Sequence, residues 1–464
     1  MVTKNNFKSL FLGQDFQVPI LGNQYIRYVD LDNAATSPPF IKVVDKVNEF
    51  SKLYSSIHRG NGFKSLCSTE IYQEARNIVA NFVEAEPDKN TVVFVKNSTE
   101  AINKLASLFT FNEEDIILTS FMEHHSNDLP WRKHGIVKNI DIKTTGEIDI
   151  DHFKNLVHQY GKRIKLVAIT GASNVTGYIN PIYDIATMAH EIGAKVLVDA
   201  SQLAPHRKID IKRNMDIKHI DFLVFTAHKL FAPFGTGVLV GPNEFFEHAE
   251  PDHVGGGMVK MVTSEEVYWD EVPERNEAGT PNVMGAVALA VSIKNIEAIG
   301  YGRIEKHEME LTQYLVEGLK EINHIDICGG TSFHIEHRLG VVSFNVENMH
   351  HSLVAAILSY EYGIGVRSGC FCAHPYVLRL LNVDSDKVNR YKNSILNGDK
   401  SNVPGLVRVS LGLQNNLEDI DRLLMALKNI TAGIYSDCYV IDKHSGNYSP
   451  KGWTSNFHSY FSFS

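Results

Sequence analysis

The sequence predicts an α/β protein, with a large domain on a mainly parallel sheet and a smaller α+β domain after it. Three observations lead there. Val196 to Val198 and Phe222 to Phe225 are apolar runs the length of a buried strand, and each stops at residues foreign to a core, Asp199 and Thr226-Ala227-His228-Lys229. A strand at 165–169, a helix at 182–192 and the strand ending at Asp199 follow in the rhythm of a parallel βαβ unit. At 464 residues, the chain is long enough for two domains with full cores.

Parallel strands put Asp199 and Lys229 at one sheet edge, the C-terminal one, where ligands of open α/β sheets bind. A simple ion pair accounts for a lysine and a carboxylate there. Pyridoxal phosphate accounts for more. Its Schiff base needs a lysine amine, and its ring nitrogen needs a carboxylate to stay protonated so that the ring can act as an electron sink. Thr226 and His228 beside Lys229 suit a phosphate, and Gly235 and Gly237 let the chain turn closely past it.

The run DASQ at 199–202, followed by FTAHKLFAPFGTGVL at 225–239, resembles the class V aminotransferase-like family of pyridoxal-phosphate enzymes. The likeness is strongest to group II cysteine desulfurases and selenocysteine lyases, and runs from about Tyr28 to about Leu427. It implies fold type I, with a mainly parallel seven-stranded sheet in the large domain. It also implies Lys229 as the Schiff-base lysine and Asp199 as partner of the pyridine nitrogen. Gln202 falls at the ring's phenolic oxygen, and Thr226 and His228 at the phosphate.

Composition sets the outer bounds. The hydrophobic fraction of 44% and charged fraction of 21% are those of a globular protein. A net charge of −9 and a pI near 6.2 leave no electrostatic footprint for nucleic acid. No apolar stretch reaches the roughly 18 residues of a membrane helix, and MVTKNNFKSLFLGQDF has too short an apolar segment for a signal peptide. Five scattered cysteines argue against a disulfide framework. A reduced, cytoplasmic protein is expected.

Four regions are expected: an arm at 1–27 packed on the small domain, a large cofactor-binding domain at 28–299, a small domain at 300–430, and a tail at 431–464. From Tyr28 a short strand runs into a small-residue turn ending at Pro38-Pro39. By resemblance this turn passes Asn33 and Ala34 close to the substrate carboxylate. His58-Arg59-Gly60 is either a solvated loop or, by resemblance, a border of the site and partly of the neighbouring subunit's site. A strand at 92–95 opens into Lys96-Asn97-Ser98-Thr99, which reads as an N-cap or as an anion site at a helix start. The resemblance makes Ser98 and Thr99 phosphate ligands.

In Met122-Glu123-His124-His125 the adjacent histidines point to different faces, which disfavours a shared metal. The resemblance has His124 stack on the cofactor ring and take part in proton transfer, for which an imidazole is suited. It leaves His125 a structural role and makes Asn174 a cofactor contact. Gly255-Gly256-Gly257 lacks the spacing of a nucleotide loop and reads as a flexible loop. Glu277 to Asn282 matches a family segment whose threonine, here Thr280, reaches the phosphate of the partner subunit, so a homodimer with shared sites is expected. A turn capping the following helix is compatible with that. Residues 301–322 carry Ile304, Leu311, Leu315, Val316 and Leu319 at helical spacing. Strands of the small domain are expected near 341–344 and 406–410.

The segment Arg367-Ser-Gly-Cys370-Phe-Cys372-Ala-His374 selects the reaction. A metal site would want a second cysteine pair, which is absent, so no metal is expected. A buried structural cysteine is one alternative. A thiolate activated by a nearby arginine is another. The resemblance places the sulfur-accepting cysteine at Cys372 and Arg367 beside the substrate. Cys370 departs from the family pattern and either resolves a persulfide or shares the nucleophile's role. Arg408 matches the arginine that binds the substrate carboxylate, a task its forked guanidinium suits. The stretch 382–404 is longer and more polar than usual, and is a candidate for reshaping the entrance or a docking surface.

The resulting expectation is a cysteine desulfurase that turns L-cysteine into L-alanine and leaves a persulfide on Cys372 for a sulfur-acceptor protein. Alternatives are a selenocysteine lyase, cystine C–S lyase or epimerase on the same cofactor. A further one is a non-catalytic sulfur carrier or metal binder built on Cys370, Cys372 and His374. The tail holds eight aromatics among its 34 residues and is read as ordered and packed on the body, or as a docking segment.

Overall fold

A computed structural model describes residues 7–330 and 337–463; residues 1–6 of the expected arm, 331–336 of the expected small domain and Ser464 of the tail lie outside the described residues. Its centre is a seven-stranded sheet. In chain order the strands are β1 (Asn90–Val95), β2 (Ile116–Ser120), β3 (Ile136–Ile140), β4 (Ile164–Thr170), β5 (Lys195–Asp199), β6 (Phe222–Thr226) and β7 (Gly237–Pro242). In space they run β1-β7-β6-β5-β4-β2-β3, parallel except for β7, which is antiparallel to both neighbours.

The apolar runs are continuous because both faces of the sheet are covered. Alternate residues nonetheless go to opposite sides. Leu223 and Phe225 join one core cluster, and Phe222 and Val224 the other. Helices Phe63–Phe82 and Val283–Ile299 pack against each other on the first side. Val283–Ile299 ends at Gly300, whose φ of +84° suits glycine, and the chain turns 78° into Tyr301–Lys320. Among the described residues no single helix is long and apolar enough to cross a membrane.

A second, antiparallel sheet consists of β8 (Ile325–Ile327), β9 (Val341–Val346), β10 (Arg367–Gly369) and β11 (Leu406–Ser410), in the order β8-β9-β11-β10. It shares a separate core with Leu311, Leu315 and Leu319 of Tyr301–Lys320 and with Ile420, Leu423 and Leu427 of helix Leu417–Thr431. The hairpin Gln17–Ile20/Gln24–Arg27 docks here too, with Leu21 N donating to Tyr360 O (2.8 Å) and Arg27 Nη2 to Asp419 Oδ1 (2.7 Å).

Three regions differ from the sequence reading or add to it. Gly255–Gly257 lies in a loop, and after it the chain forms a hairpin, Val259–Val262 with Val267–Trp269, which the sequence reading did not address. The hairpin buries almost nothing, so no apolar period announced it. The 382–404 stretch contains a helix, Ser385–Leu396, with no buried residue. The tail folds as a hairpin, Tyr439–Asp442 with Asn447–Pro450, against helix His351–Tyr362, and Tyr439 OH donates to Glu361 Oε1 (2.9 Å). Its last aromatics, among them Phe461 and Phe463, stay exposed.

Glu277 ties helix Phe63–Phe82 to strand β1. Its buried carboxylate accepts from Arg76 (2.7 and 3.0 Å), Tyr72 OH (2.7 Å) and the Phe94 backbone N–H (2.7 Å). Glu277→Ala leaves a buried guanidinium unpaired, which costs about 3–5 kcal/mol. Denaturant unfolding should show a loss of that size.

Candidate active site

The C-terminal ends of β1, β2, β4, β5 and β6 converge on one edge, where β7, running the other way, begins. A cavity of about 270 Å³ opens there. Gly237 at the start of β7 lies so close to the turn after β1 that a Cβ would come within 2.4 Å of the Asn97 carbonyl carbon. A larger open groove, about 770 Å³, lies against β8 and β9 but is lined by none of the expected site residues, and volume alone does not make it the reaction site.

Asp199 ends β5, buried at the cavity floor, and its Oδ1 accepts from Ser201 N (3.0 Å). Lys229 ends the short turn after β6 and lines the same cavity. Burial pulls the Lys229 ammonium down to about 8, Asp199 works against that shift and Arg408 adds to it. Gln202 donates to Ala34 O (2.7 Å), which brings the small-residue turn to the cavity wall.

Helix Ser98–Leu108 starts at the cavity with Asn97 as its N-cap, Oδ1 accepting from Glu100 N (2.9 Å). The cap is therefore neither Ser98 nor Thr99. Both line the cavity, Thr99 with its hydroxyl 2.7 Å from Ser126 Oγ. Thr226 and His228 close the same end. Burial, then the Lys229 charge, pulls His228 down to about 4, and its Nδ1 lies 3.2 Å from Thr36 Oγ1.

His124 faces the cavity from the turn after β2. Its Nδ1 accepts from Ser126 N (3.2 Å), so the neutral ring carries its proton on Nε2. Burial first, and then Lys229, pulls it down to about 4. His125 faces elsewhere. Its ring stacks on His374 with centroids 4.9 Å apart, and its backbone N–H donates to Cys372 O (2.7 Å).

Arg408 on β11 is buried and borders the cavity. Its Nη2 donates to Asp32 Oδ1 (2.6 Å) and its Nη1 to Asn174 O (3.0 Å), while Nε is buried without a partner among the described residues. Arg367 Nε donates to the other oxygen of Asp32 (3.0 Å). Asp32, which the sequence reading passed over, thus holds both arginines. Ser201 was also missed; its hydroxyl is buried at the cavity with no partner among the described residues. Its position two residues after Asp199 was the available signal.

The cysteine loop separates its two thiols. Cys372 is exposed and lines the cavity. Phe371 and Cys372 have φ of +51° and +54°, a left-handed pair that costs roughly 1–2 kcal/mol per residue. Asn174 Nδ2 holds the loop by donating to Phe371 O (2.8 Å). Cys370 points away: its buried Sγ donates to Pro404 O (3.2 Å), and burial pushes the thiol up to about 11. That placement runs against a shared nucleophilic role. Cys370→Ala should cost about 1 kcal/mol of stability and leave persulfide formation in place, checked by unfolding and by mass spectrometry.

Two expected site residues lie outside the cavity. Asn33 is turned into a polar network, donating to Ser410 O (3.0 Å) and accepting from Gln414 Nε2 (2.6 Å), so only Ala34 of the pair lines the wall. The reason is Ser410, whose Oγ accepts from Ala34 N (2.9 Å) and fixes the turn with the amide side inward. Thr280 is exposed and not part of this chain's cavity.

A parallel α/β sheet with a lysine, a carboxylate and an anion-suited helix start at its C-terminal edge defines a cofactor-dependent enzyme class. The model of the Aminotransferase class-V family matches residues 29–423, and the chain belongs to that family. A probable cysteine desulfurase of Halalkalibacterium halodurans is 35% identical over 409 residues, 86% of this chain and 92% of its own length. One from a Synechocystis species is 36% identical over 436 residues, 91% and 96% of the two chains. Among solved structures, the apo cysteine desulfurase of Thermococcus onnurineus superposes with a TM-score of 0.76 at 34% identity, covering 88% of this chain and 95% of that one. The cysteine desulfurase CsdA of Escherichia coli, in its S-sulfonic acid form, gives 0.77 at 27% identity, covering 94% and 100%.

Proposed function

We propose that the chain is a pyridoxal-phosphate-dependent cysteine desulfurase, forming L-alanine and a Cys372 persulfide from L-cysteine. The observation that carries this reading is that the exposed Cys372 thiol lines one cavity with Lys229, Asp199 and Arg408. The cavity fits the cofactor: Ser201 Oγ is buried there without a partner among the described residues, and hydroxyl side chains gather at a helix start suited to phosphate. Lys229 would hold it covalently, Asp199 at the ring nitrogen and Gln202 at the phenolic oxygen. Ser98, Thr99, Thr226 and His228 would hold its phosphate, and Asn174 and His124 would flank it. When bound, the cofactor supplies an electron sink for charge at the substrate's Cα.

Arg408, seconded by Arg367, grips the substrate carboxylate, with Ala34 as a wall. The Lys229 amine, set free once the substrate amine has taken its place, accepts the proton from Cα. His124, with its proton on Nε2, serves as donor and holder of a proton. The Cys372 thiolate attacks the substrate sulfur: the S–S bond forms as the Cβ–S bond breaks, Cβ takes up a proton, and the proton held by Lys229 returns to Cα to complete alanine. The exposed loop leaves the persulfide open to an acceptor thiol. The exposed Thr280 is assigned to the phosphate of a second subunit in a homodimer, and the protein to the cytoplasm.

The test is incubation with L-cysteine and a reductant. Equal amounts of alanine and sulfide support the reading. Turnover of selenocysteine alone points to the lyase, and protein that is yellow but makes no alanine overturns the desulfurase assignment. The amine of Lys229 adds a second readout. Only its neutral form captures an aldehyde, so cofactor uptake by the apo protein should rise with pH around a midpoint near 8, well below an ordinary lysine. Stopped-flow absorbance across pH 6–10 checks this.

A further inference from the structure

At the opposite end of the sheet three side chains converge that take no part in this chemistry. Asp221, fully buried, immediately precedes β6, and His219 lies two residues before it. His190 comes from the end of helix Ile182–Glu191. His190 Nε2 lies 2.8 Å from Asp221 Oδ2 and His219 Nε2 3.2 Å from Oδ1. The three ligand-type atoms are all within 4.8 Å of one another.

Hydrogen-bond bookkeeping at these rings does not close with neutral histidines. His190 Nδ1 lies 2.7 Å from the Ile217 carbonyl oxygen, and His219 Nδ1 2.6 Å from that of Asp216. A carbonyl oxygen only accepts, so both Nδ1 atoms carry protons. A neutral ring then turns a bare Nε2 lone pair toward a carboxylate oxygen. Each Nε2 needs a positive partner, and one divalent cation serves both of them and the carboxylate together. Nδ1–H on a backbone carbonyl with Nε2 free is also how proteins orient metal-binding histidines.

We propose that His190, His219 and Asp221 form a binding site for a divalent transition metal of the zinc type. Two imidazoles and a carboxylate are a borderline donor set that suits zinc, with a fourth position left for water. Ligand atoms around tetrahedral zinc sit about 3.4 Å apart at the usual bond lengths, against 2.8 and 3.2 Å from the two Nε2 atoms to the carboxylate. The rings, stacked at 4.1 Å, need to splay so that both lone pairs meet one ion. Lys195 Nζ, now 2.8 Å from Asp221 Oδ1, is on a half-exposed side chain and can swing into solvent. Val196 N, donating to Oδ2 (2.9 Å), keeps the carboxylate oriented. The ion would pin the helix end and the loop before β6 to the start of the sheet. The expectation of no metal rested on the cysteine loop; this cluster escaped it because His190 comes from a helix and His219 and Asp221 from a separate loop, which together form no spaced motif.

The test uses holoenzyme carrying Cys372→Ala, which removes the exposed thiol as a competing ligand, titrated with Zn²⁺. One equivalent should bind, and adding His219→Gln should weaken binding at least about 100-fold while the visible band of the cofactor is unchanged. Electron paramagnetic resonance with Cu²⁺, on the Cys372→Ala protein alone, should show coupling to two imidazole nitrogens. It remains informative if the His219 variant fails to fold. Absence of Zn²⁺ binding, or binding unaffected by His219→Gln, overturns the site and assigns the two Nε2 positions to protons.

Discussion

Lys229→Ala should lose alanine formation by about 10⁴-fold or more, the upper end of what one proton-transfer group supplies, because this side chain also anchors the cofactor. The visible absorbance of the purified protein should fall with it. Stability of the apo chain should not fall, since Lys229 contributes a partly desolvated charge rather than a packed contact: burial pulls it down to about 8 despite Asp199 nearby. Absorbance, alanine assay and unfolding on the same preparation separate these effects. An alanine variant that stays yellow and active would remove Lys229 from the site.

Cys372→Ser should separate cofactor chemistry from sulfur transfer. The hydroxyl is too weak a nucleophile toward sulfur, so desulfuration should drop at least about 10³-fold. Cofactor absorbance and the spectral change on adding L-cysteine should remain, because Lys229, Asp199 and His124 are untouched. The left-handed backbone at 371–372 belongs to the loop and not to the sulfur atom, and serine tolerates it about as well as cysteine does.

Much of this was legible in the sequence for a physical reason. A residue that ends a buried strand has nowhere to go but the sheet edge, so Asp199, Thr226 and Lys229 could be placed together before any fold was known. Ser98, Thr99 and His124 follow β1 and β2 at the same edge, but their roles came from the family resemblance and not from the strand ends alone. What stayed hidden depends on direction rather than position. Asn33 and Ala34 are neighbours, yet the contact with Ser410 turns one inward and leaves the other on the wall. Cys370 and Cys372 are two residues apart, and the left-handed pair sends one thiol to Pro404 and the other to the cavity. Asp32 bridges arginines more than 300 positions away, a relation that only the docking of the second sheet creates. The hairpin at 259–269 buries almost nothing, and the helix at 385–396 carries Val388, Tyr391 and Ile395 at helical spacing but buries none of them, so neither announced a place in the core.

The most direct measurement is to mix the holoenzyme with one equivalent of L-cysteine, without reductant, and locate the transferred sulfur by fragmentation mass spectrometry. The arrangement of the cavity requires one extra sulfur on Cys372, present also in Cys370→Ala and absent in Cys372→Ser. A sulfur found on Cys370, or alanine formed in full yield with no sulfur on either cysteine, would contradict it.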